Sequence, residues 1–307
     1  MPVADGGLLV VGDVVTDLVA RHTGPLAAGT DTAARIRTLP GGAGANVAAW
    51  AARCGPVPVR LLARAGRDSA AWHEAALRRA GVEPWLRIDP ELPTGVVIAL
   101  VDGAEAGERT FLTDSGASFA LGPADWDAAL LAGVRHVHLS GYLHFTAPGR
   151  ELAALVRESA HAQGATVSVD PASAGFIRVL GVGPFLAAVR GADLLLPNAS
   201  EALLLTGRVH VREAAEELSR IHGTAVVTLG AHGALVAQDG RPTARVPAVA
   251  ARVVDTTGAG DAFTGAFLAA RLTGAKPREA ARAGCRAAST AVTIVGGRPP
   301  ATTQDQP

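Results

Sequence analysis

Apolar residues along this chain occur in short continuous runs that alternate with longer stretches of helical periodicity. Runs of this kind are typical of strands buried on both faces of a sheet; they are GLLVVG (7–12), VRHVHLSG (134–141), ATVSVDP (165–171), ADLLLPN (192–198) and AVVTLG (225–230). Alanine and leucine recur with helical spacing between them, as in GRELAALVRESAHAQG (149–164) and VREAAEELSRIHG (211–223). The alternation predicts an α/β fold with a mostly parallel central sheet flanked by helices.

Two segments, at about 17–40 and 94–114, interrupt this rhythm with alternating and partly polar residues. Alternation at a period of two is typical of strand pairs in a sheet with one wet face. We therefore expect one domain over residues 1–307, with a small β-sheet lid formed by these discontinuous segments. The second pair is joined by the turn DGAEAGE (102–108), and the polar tail RPPATTQDQP (298–307) predicts a frayed end.

Composition and charge exclude several classes of function. The 28 basic and 28 acidic residues cancel, so neither nucleic acid nor a membrane surface is expected as a partner. Asp13 and Asp17 interrupt the N-terminal apolar stretch, and no apolar run reaches the ~18 residues of a membrane span, so we expect a cytoplasmic protein. Lys276 is the only lysine and lies outside any glycine loop, which excludes a P-loop ATPase.

A stretch with few large side chains, DTTGAGDAFTGAF (255–267), contains two aspartates around a glycine turn. The preceding ARVVD (251–255) predicts a strand, and the apolar run that follows predicts a helix. The positive end of the helix dipole would then form an anion hole at the N–H groups of Gly258, Ala259 and Gly260. Asp261 lies beside that hole, where it could take a proton from an attacking hydroxyl group or simply cap the helix. The dipole would also depress the pKa of Asp261.

The glycine turn resembles, over DTTGAGDAFTGAFL (255–268), the second signature of the ribokinase family, also called the PfkB carbohydrate kinases. Four further stretches resemble family elements: the end of the first strand in GDVVTD (12–17), the N-terminal glycine signature in PGGAGANVA (40–48), the N-x-x-E element in NASE (198–201) and the T-x-G-x-x-G stretch in TLGAHGA (228–234). They follow in the family's order. A single match of this kind is weak, whereas five in sequence are specific.

The resemblance implies a ribokinase-like fold and the ATP-dependent phosphorylation of a hydroxymethyl group on a small sugar. Asp261 would be the general base of this reaction. The sugar would be bound by residues of the first two motifs, the glycine turn and the lid: Asp17, Gly41, Gly42, Asn46, Asp255 and Arg109. Arg109, at the start of a lid strand, could meet an acidic group of the substrate or simply be a solvated lid residue.

The same resemblance implies the cofactors and the partners. ATP would lie along the N-x-x-E and T-x-G-x-x-G elements, at Asn198, Thr228, Gly230 and Gly233. Glu201 would help to bind Mg²⁺, directly or through water, because hard cations prefer oxygen ligands. Asp255 would hold a monovalent cation such as K⁺. Two chains would pair through the lid, as in relatives.

Three departures from the family pattern bear on the substrate. Ala43 stands where many relatives that act on phosphorylated sugars have a lysine, which disfavours a phosphorylated acceptor. DPASA (170–174) lacks the asparagine and arginine found in some fructokinase and ketodeoxygluconate kinase relatives. Val15 replaces an asparagine that often precedes the sugar aspartate, which leaves a less hydroxylated substrate open. The alternatives are therefore a nucleoside kinase of the adenosine or pseudouridine type and a catalytically silent relative that binds a sugar or nucleotide.

Overall fold

The computed structural model describes residues 6–102 and 109–300. Over these ranges the chain forms thirteen strands: β1 Gly7–Val11, β2 Val15–His22, β3 Ala34–Gly41, β4 Val59–Gly66, β5 Val82–Asp89, β6 Thr94–Asp102, β7 Arg109–Gly116, β8 Val134–Ser140, β9 Thr166–Asp170, β10 Leu194–Leu195, β11 Thr224–Thr228, β12 Ala234–Gln238 and β13 Arg241–Val246. The same ranges contain nine α-helices: α1 Ala43–Cys54, α2 Ala70–Arg79, α3 Ala147–Ala162, α4 Ala174–Leu180, α5 Val182–Ala188, α6 Ala199–Thr206, α7 Val211–His222, α8 Ala259–Leu272 and α9 Pro277–Ala291.

The main sheet of the described chain has nine strands in the order β13-β12-β11-β10-β9-β8-β1-β4-β5. The seven strands from β11 to β5 run parallel, and β12 and β13 add an antiparallel edge. This confirms the mostly parallel sheet that the apolar runs predict. Because parallel strands end at the same edge, Asp13, Asp170 and Asn198, which end or follow β1, β9 and β10, are brought to one side of the molecule.

Helices cover both faces of the main sheet. Successive residues of β1 alternate between two cores: Leu9 packs in the core that includes residues of α3, α5 and α7, and Leu8 in the core that includes residues of α1, α8 and α9. This is the double burial that a continuous apolar strand requires. The packing of α1 and α8 on the same face brings the two glycine motifs together. In the described ranges, no helix has the length and apolar character needed to span a bilayer.

A second sheet of four strands, in the order β3-β2-β6-β7, lies beside the main one, and we call it the lid sheet. Its strands come from the two segments that the alternating pattern marks, so the smaller separate sheet is confirmed. Asp17 lies opposite Leu39 and Val97 in the register, so these side chains share one face. Val19 and Leu39 of that face pack with Val295 near the C-terminus. The movement of this sheet as a lid stays a prediction.

Two local expectations are wrong. Residues 251–255 form no strand; Val254 N and Asp255 N instead donate to the Val292 carbonyl oxygen at 2.7 and 3.2 Å. The side chain of Val253 is 61% exposed, which a strand buried on both faces would not allow. The tail is not frayed at its start either, because Arg298 is hydrogen-bonded inside the protein. Residues 301–307 of the tail and 103–108 of the predicted turn lie outside the described residues.

Candidate active site

A cavity of about 1000 Å³ opens at the carboxyl edge of the main sheet, beneath the lid sheet. A volume of this size is at the upper end for small-molecule sites and has room for two substrates. Its wall includes ten of the residues that the sequence singles out: Asp17, Gly42, Asn46, Asn198, Glu201, Thr228, Gly258, Ala259, Gly260 and Asp261. Positions more than 200 residues apart in the chain thus meet around one space.

Helix α8 begins at this cavity and has no side-chain cap. Its N-cap is Gly258, which has a left-handed backbone with a φ of 72°, a conformation that favours glycine. A Cβ atom at this position would also lie 2.4 Å from Gly297 Cα. Asp261 therefore stands in the first turn of α8 and is not its N-cap, since the helix starts three residues earlier than the apolar run suggests.

The neighbouring helix α1 also points its N-terminus to the cavity, but its first amides are occupied. Asp13 accepts hydrogen bonds from Ala43 N at 2.7 Å and Gly44 N at 3.1 Å. Ser140 donates a further hydrogen bond to Asp13 at 2.8 Å. A side-chain acceptor satisfies α1 and none caps α8, where Ala259 N donates to the Thr256 carbonyl oxygen at 3.3 Å. The start of α8 is therefore the better candidate for an anion site, which stays a prediction.

Asp261 is bonded to the other glycine motif. Asn46 Nδ2 donates to Asp261 Oδ2 at 2.8 Å, which leaves Oδ1 without that contact. Burial raises the pKa of Asp261 well above its ordinary value, and the nearby charges of Asp170 and Asp13 act in the same direction. The amide of Asn46 partly offsets this rise. The expectation of a depressed pKa is therefore wrong, because burial and like charges outweigh the helix dipole.

Asp17 reaches the cavity from the lid sheet. Its side chain is 8% exposed, and burial raises its pKa to about 7 while Arg298 lowers it. Gly41 explains how this carboxyl group fits: a Cβ atom at Gly41 would lie 2.3 Å from the carboxyl atoms of Asp17. Gly41 itself does not line the cavity in the described residues, so its contribution there is to leave space for Asp17.

The buried Glu201 and the half-buried Asp170 form an acidic pair on the cavity wall. Burial raises the pKa of Glu201 to about 8, and the neighbouring Asp170 adds to the rise. Burial also raises the pKa of Asp170 to about 6. Among the ion pairs of residues 6–102 and 109–300, none includes either carboxylate. Two carboxylates of like charge on the cavity wall, one buried and one half-buried, are suitable oxygen ligands for a divalent cation such as Mg²⁺.

The N-x-x-E element also has a local structural role. Asn198 caps α6 by accepting from Glu201 N at 2.9 Å, and Glu201 Oε2 accepts from Asn198 N at 2.9 Å. This reciprocal capping box fixes the carboxyl group of Glu201 at the cavity. Asn198 also pairs with Thr228 through an isolated bridge, which aligns the two proposed nucleotide residues.

Four further proposed contact residues are not among the described residues that line the cavity. Gly230 and Gly233 do not line the cavity in the described chain, and Gly233 is required by a tight turn, where a Cβ would lie 1.9 Å from Val246 O. Asp255 is 2% exposed and accepts from Thr257 N at 2.7 Å and Gly296 N at 3.0 Å, so it joins two loops beside the cavity. Arg109 begins β7, and its side chain lies outside the described residues.

Four aromatic residues, which we call the aromatic wall, also line the cavity: Phe111, Phe119, Tyr142 and Phe176. Phe176 packs edge-to-face with Phe119 and Tyr142, with ring centroids 6.1 and 5.6 Å apart. Phe111 extends from the lid sheet and is 51% exposed. The cavity wall therefore combines acidic and aromatic side chains.

A sequence model for pfkB family carbohydrate kinases matches residues 6–304 of the chain. The chain belongs to this family. Kinases of the pfkB family transfer phosphate from ATP to hydroxyl groups of sugars and nucleosides.

Similarity to individual proteins extends over most of the chain. Bifunctional protein HldE of Caulobacter vibrioides is 32% identical over 302 residues, which cover 90% of this chain and 57% of that protein. The chain thus spans little more than half the length of this relative. ATP-dependent ribose-1-phosphate kinase of Halopiger xanaduensis is 32% identical over 237 residues, 76% of this chain and 73% of that one. The structure of adenosine kinase from Sinorhizobium meliloti superposes with a TM-score of 0.86 at 25% identity, covering 96% of both chains.

Several residues in or beside the cavity of this pfkB family member received no role from the sequence motifs. Asp13 and Asp170 each stand at or just after the end of a buried parallel strand, so the rule that places ligand sites at carboxyl edges could have identified them. The aromatic wall and Arg298 carry no such signal. Their positions follow from the packing of elements distant in sequence.

Proposed function

We propose that this protein transfers the γ-phosphate of ATP to a hydroxymethyl group of a small, uncharged sugar. The observation that carries the proposal is the position of Asp261: it stands in the first turn of an uncapped helix and faces the same cavity as Asp17 and the acidic pair. A base, an anion site, an acceptor site and a cation site around one space are the requirements of phosphoryl transfer.

In this mechanism, Asp261 accepts the proton of the attacking hydroxyl group. Its Oδ2 is held by Asn46, so Oδ1 is the oxygen available to the acceptor. A raised pKa suits this task, since it makes the ionised carboxylate a stronger base. The N–H groups of α8 stabilise negative charge on the transferred group. Mg²⁺, when bound at Asp170 and Glu201, would neutralise charge on the phosphates.

The charge of the cavity supports an uncharged acceptor. Among the described residues of its wall, the charged ones are all acidic: Asp13, Asp17, Asp170, Glu201 and Asp261. Ala43 lines the cavity as well, at the position where a lysine would bind a second phosphate. A sugar phosphate or a sugar acid would be repelled here. Hydroxyl groups, by contrast, donate well to carboxylates.

A nucleoside is the second candidate acceptor, and the aromatic wall is the observation that favours it. A planar base stacks on aromatic rings, whereas a free sugar would leave the aromatic wall exposed to water. Val15, which replaces a polar group near Asp17, also lines the cavity. Phe111→Ala would separate the candidates, because it should weaken kcat/KM for nucleosides about tenfold and leave free sugars nearly unchanged.

The activity is tested by measuring ATP-dependent phosphorylation of a panel of pentoses, hexoses and nucleosides with Mg²⁺ present. Asp261→Asn keeps the size of the side chain and removes the base, so kcat should fall by roughly 10²–10⁴-fold with little change in melting temperature. If Asp261→Asn turned over at the wild-type rate, this result would contradict the assignment of Asp261 as the base. Omission of K⁺ tests the monovalent cation at Asp255, whose requirement stays a prediction.

A further inference from the structure

The start of the C-terminal tail packs behind the cavity, against α1 and the N-cap of α8. Trp50 Nε1 donates to the carbonyl oxygen of Gly297 at 2.8 Å, and this bond is buried. Gly297 is also packed closely against the cap of α8 and against Asn46: a Cβ at Gly297 would lie 2.3 Å from Asn46 Nδ2. The chain is therefore fixed on both glycine motifs just before Arg298.

Arg298 continues this contact with hydrogen bonds to the N-terminal glycine motif. Its Nε donates to Asn46 Oδ1 at 2.9 Å, and its Nη2 donates to the carbonyl oxygen of Gly41 at 3.2 Å. Asn46 Nδ2 in turn donates to Asp261 Oδ2 at 2.8 Å. The three side chains form a relay from the tail to the base, and Arg298 itself does not line the cavity in the described chain.

The direction of this relay follows from the chemistry of its first member. Guanidinium groups carry only donors, so the Asn46 atom that meets Arg298 must be the amide oxygen. The amide nitrogen is thereby turned towards Asp261, where it stabilises the ionised carboxylate more strongly than the protonated acid. An asparagine free to rotate could instead present its oxygen to Asp261 and favour the protonated acid, which cannot act as a base.

The charges around Asp261 make a fixed donor necessary. Asp13, Asp17 and Asp170 face it from the first strand, the lid sheet and β9, and each raises the pKa of its carboxyl group. Arg298 brings a positive charge close to these carboxylates, and it interacts electrostatically with Asp17, Asp261 and Asp13. Tyr142 adds a hydroxyl group among the same acids.

We propose that Arg298 is a positioning residue of the phosphotransfer site: it locks the Asn46 amide in the orientation that donates to Asp261 and keeps this base ionised. The inference rests on the proposed function, since it takes Asp261 as the base. No direct contact between Arg298 and the acceptor or ATP is involved.

The proposal is tested with Arg298→Gln and Arg298→Lys, and with Arg282→Gln on the exposed face of α9 as the matched control. In Arg298→Gln, kcat should fall about tenfold at neutral pH, and the acid limb of the kcat profile should move up by about one pH unit. Arg298→Lys retains the positive charge but not the planar guanidinium group with its several donors. Its kcat should therefore lie between those of Arg298→Gln and the wild type. Guanidinium ion added to Arg298→Gln should also restore activity, and Arg282→Gln should match the wild type.

A titration independent of turnover separates this inference from the proposed function. Carboxyl ¹³C NMR, with Asp261→Asn used to assign the signal, should show a higher pKa for Asp261 in Arg298→Gln than in the wild type. This shift is expected even if no acceptor in the panel is phosphorylated, which would sink only the proposed function. An unchanged Asp261 titration in a folded Arg298→Gln would overturn the relay. A loss confined to the KM of the acceptor would likewise overturn it and make Arg298 a binding residue.

Discussion

At the scale of single residues, the candidate site contains carboxylates whose ionised form is unfavourable in the unliganded protein. Glu201 is 2% exposed, and its pKa is raised from 4.5 to about 8, first by burial and then by Asp170. The folded-state pKa exceeds the unfolded one, so this group opposes folding increasingly as the pH rises from about 4.5 to about 8. Binding of a cation would relieve that cost.

This sign predicts that Glu201→Gln stabilises the unliganded protein. The glutamine oxygen can keep the hydrogen bond from Asn198 N, so the capping box survives while the buried charge disappears. The melting temperature should rise by a few degrees near pH 8 and converge with the wild type near pH 5. Glu279→Gln alters an exposed capping box of the same kind on α9 and should change little.

Calorimetry with and without Mg²⁺ checks this prediction. Mg²⁺ should raise the melting temperature of the wild type and leave Glu201→Gln unmoved. A Glu201→Gln variant less stable than the wild type at pH 8 would mean that the carboxylate is already neutralised within the fold.

At the scale of elements, the N-termini of α1 and α8 both point to the cavity but are capped differently. Asp13 occupies the amides of α1, whereas Gly258 leaves those of α8 without a side-chain cap. The cap of α8 is closed on its other side by the backbone of Gly297. Substitution at Gly258 and at Gly260 should therefore have different consequences, although both glycines line the cavity.

Gly258→Ala should destabilise the fold, because its φ of 72° is unfavourable for alanine by about 1–2 kcal/mol and its Cβ would meet Gly297. We expect the melting temperature to fall by at least a few degrees. Gly260→Ala meets open space within a helix, so stability should hold or rise while the affinity for ATP falls. Thermal unfolding and ATP titration of both variants measure the contrast; equal stability of the two would contradict it.

At the scale of the whole molecule, the lid sheet has two apolar faces with different surroundings. One face lines the cavity with Asp17, Val97 and Phe111. On the opposite face, Ile36 and Leu112 are 64% and 54% exposed. Apolar residues that stay in water on a sheet mark an interaction surface, so we propose that two chains pair through this outer face.

Sedimentation velocity tests the pairing. The wild type should sediment as a dimer, and the double variant Ile36→Glu with Leu112→Glu should sediment as a monomer, because charges on the outer face cannot be buried without partners. Val209→Glu changes an exposed residue outside the lid sheet and should leave the dimer intact. A monomeric wild type at high concentration would refute the proposal.

The local sequence pattern predicted the main sheet and marked the motifs that contain most of the candidate site residues. Buried runs such as 134–141 and 165–171 became strands β8 and β9 because a strand covered on both faces must be continuously apolar. Segment 251–255 contains a similar short apolar run, but residues 251–254 are exposed and form no strand, so the prediction there was wrong. Asp261 was found because its neighbours in the chain already specify a helix start.

The sequence by itself determined the family, the mostly parallel sheet, the smaller sheet and the glycine turn beside Asp261, because all of these depend on short-range periodicity and contiguous motifs. Only the tertiary structure decided the ionisation of the carboxylates and the contact of Arg298 with Asn46. Burial and charge are properties of the space around a group, and residues 46 and 298 share that space only after α1, α8 and the C-terminal segment have packed together.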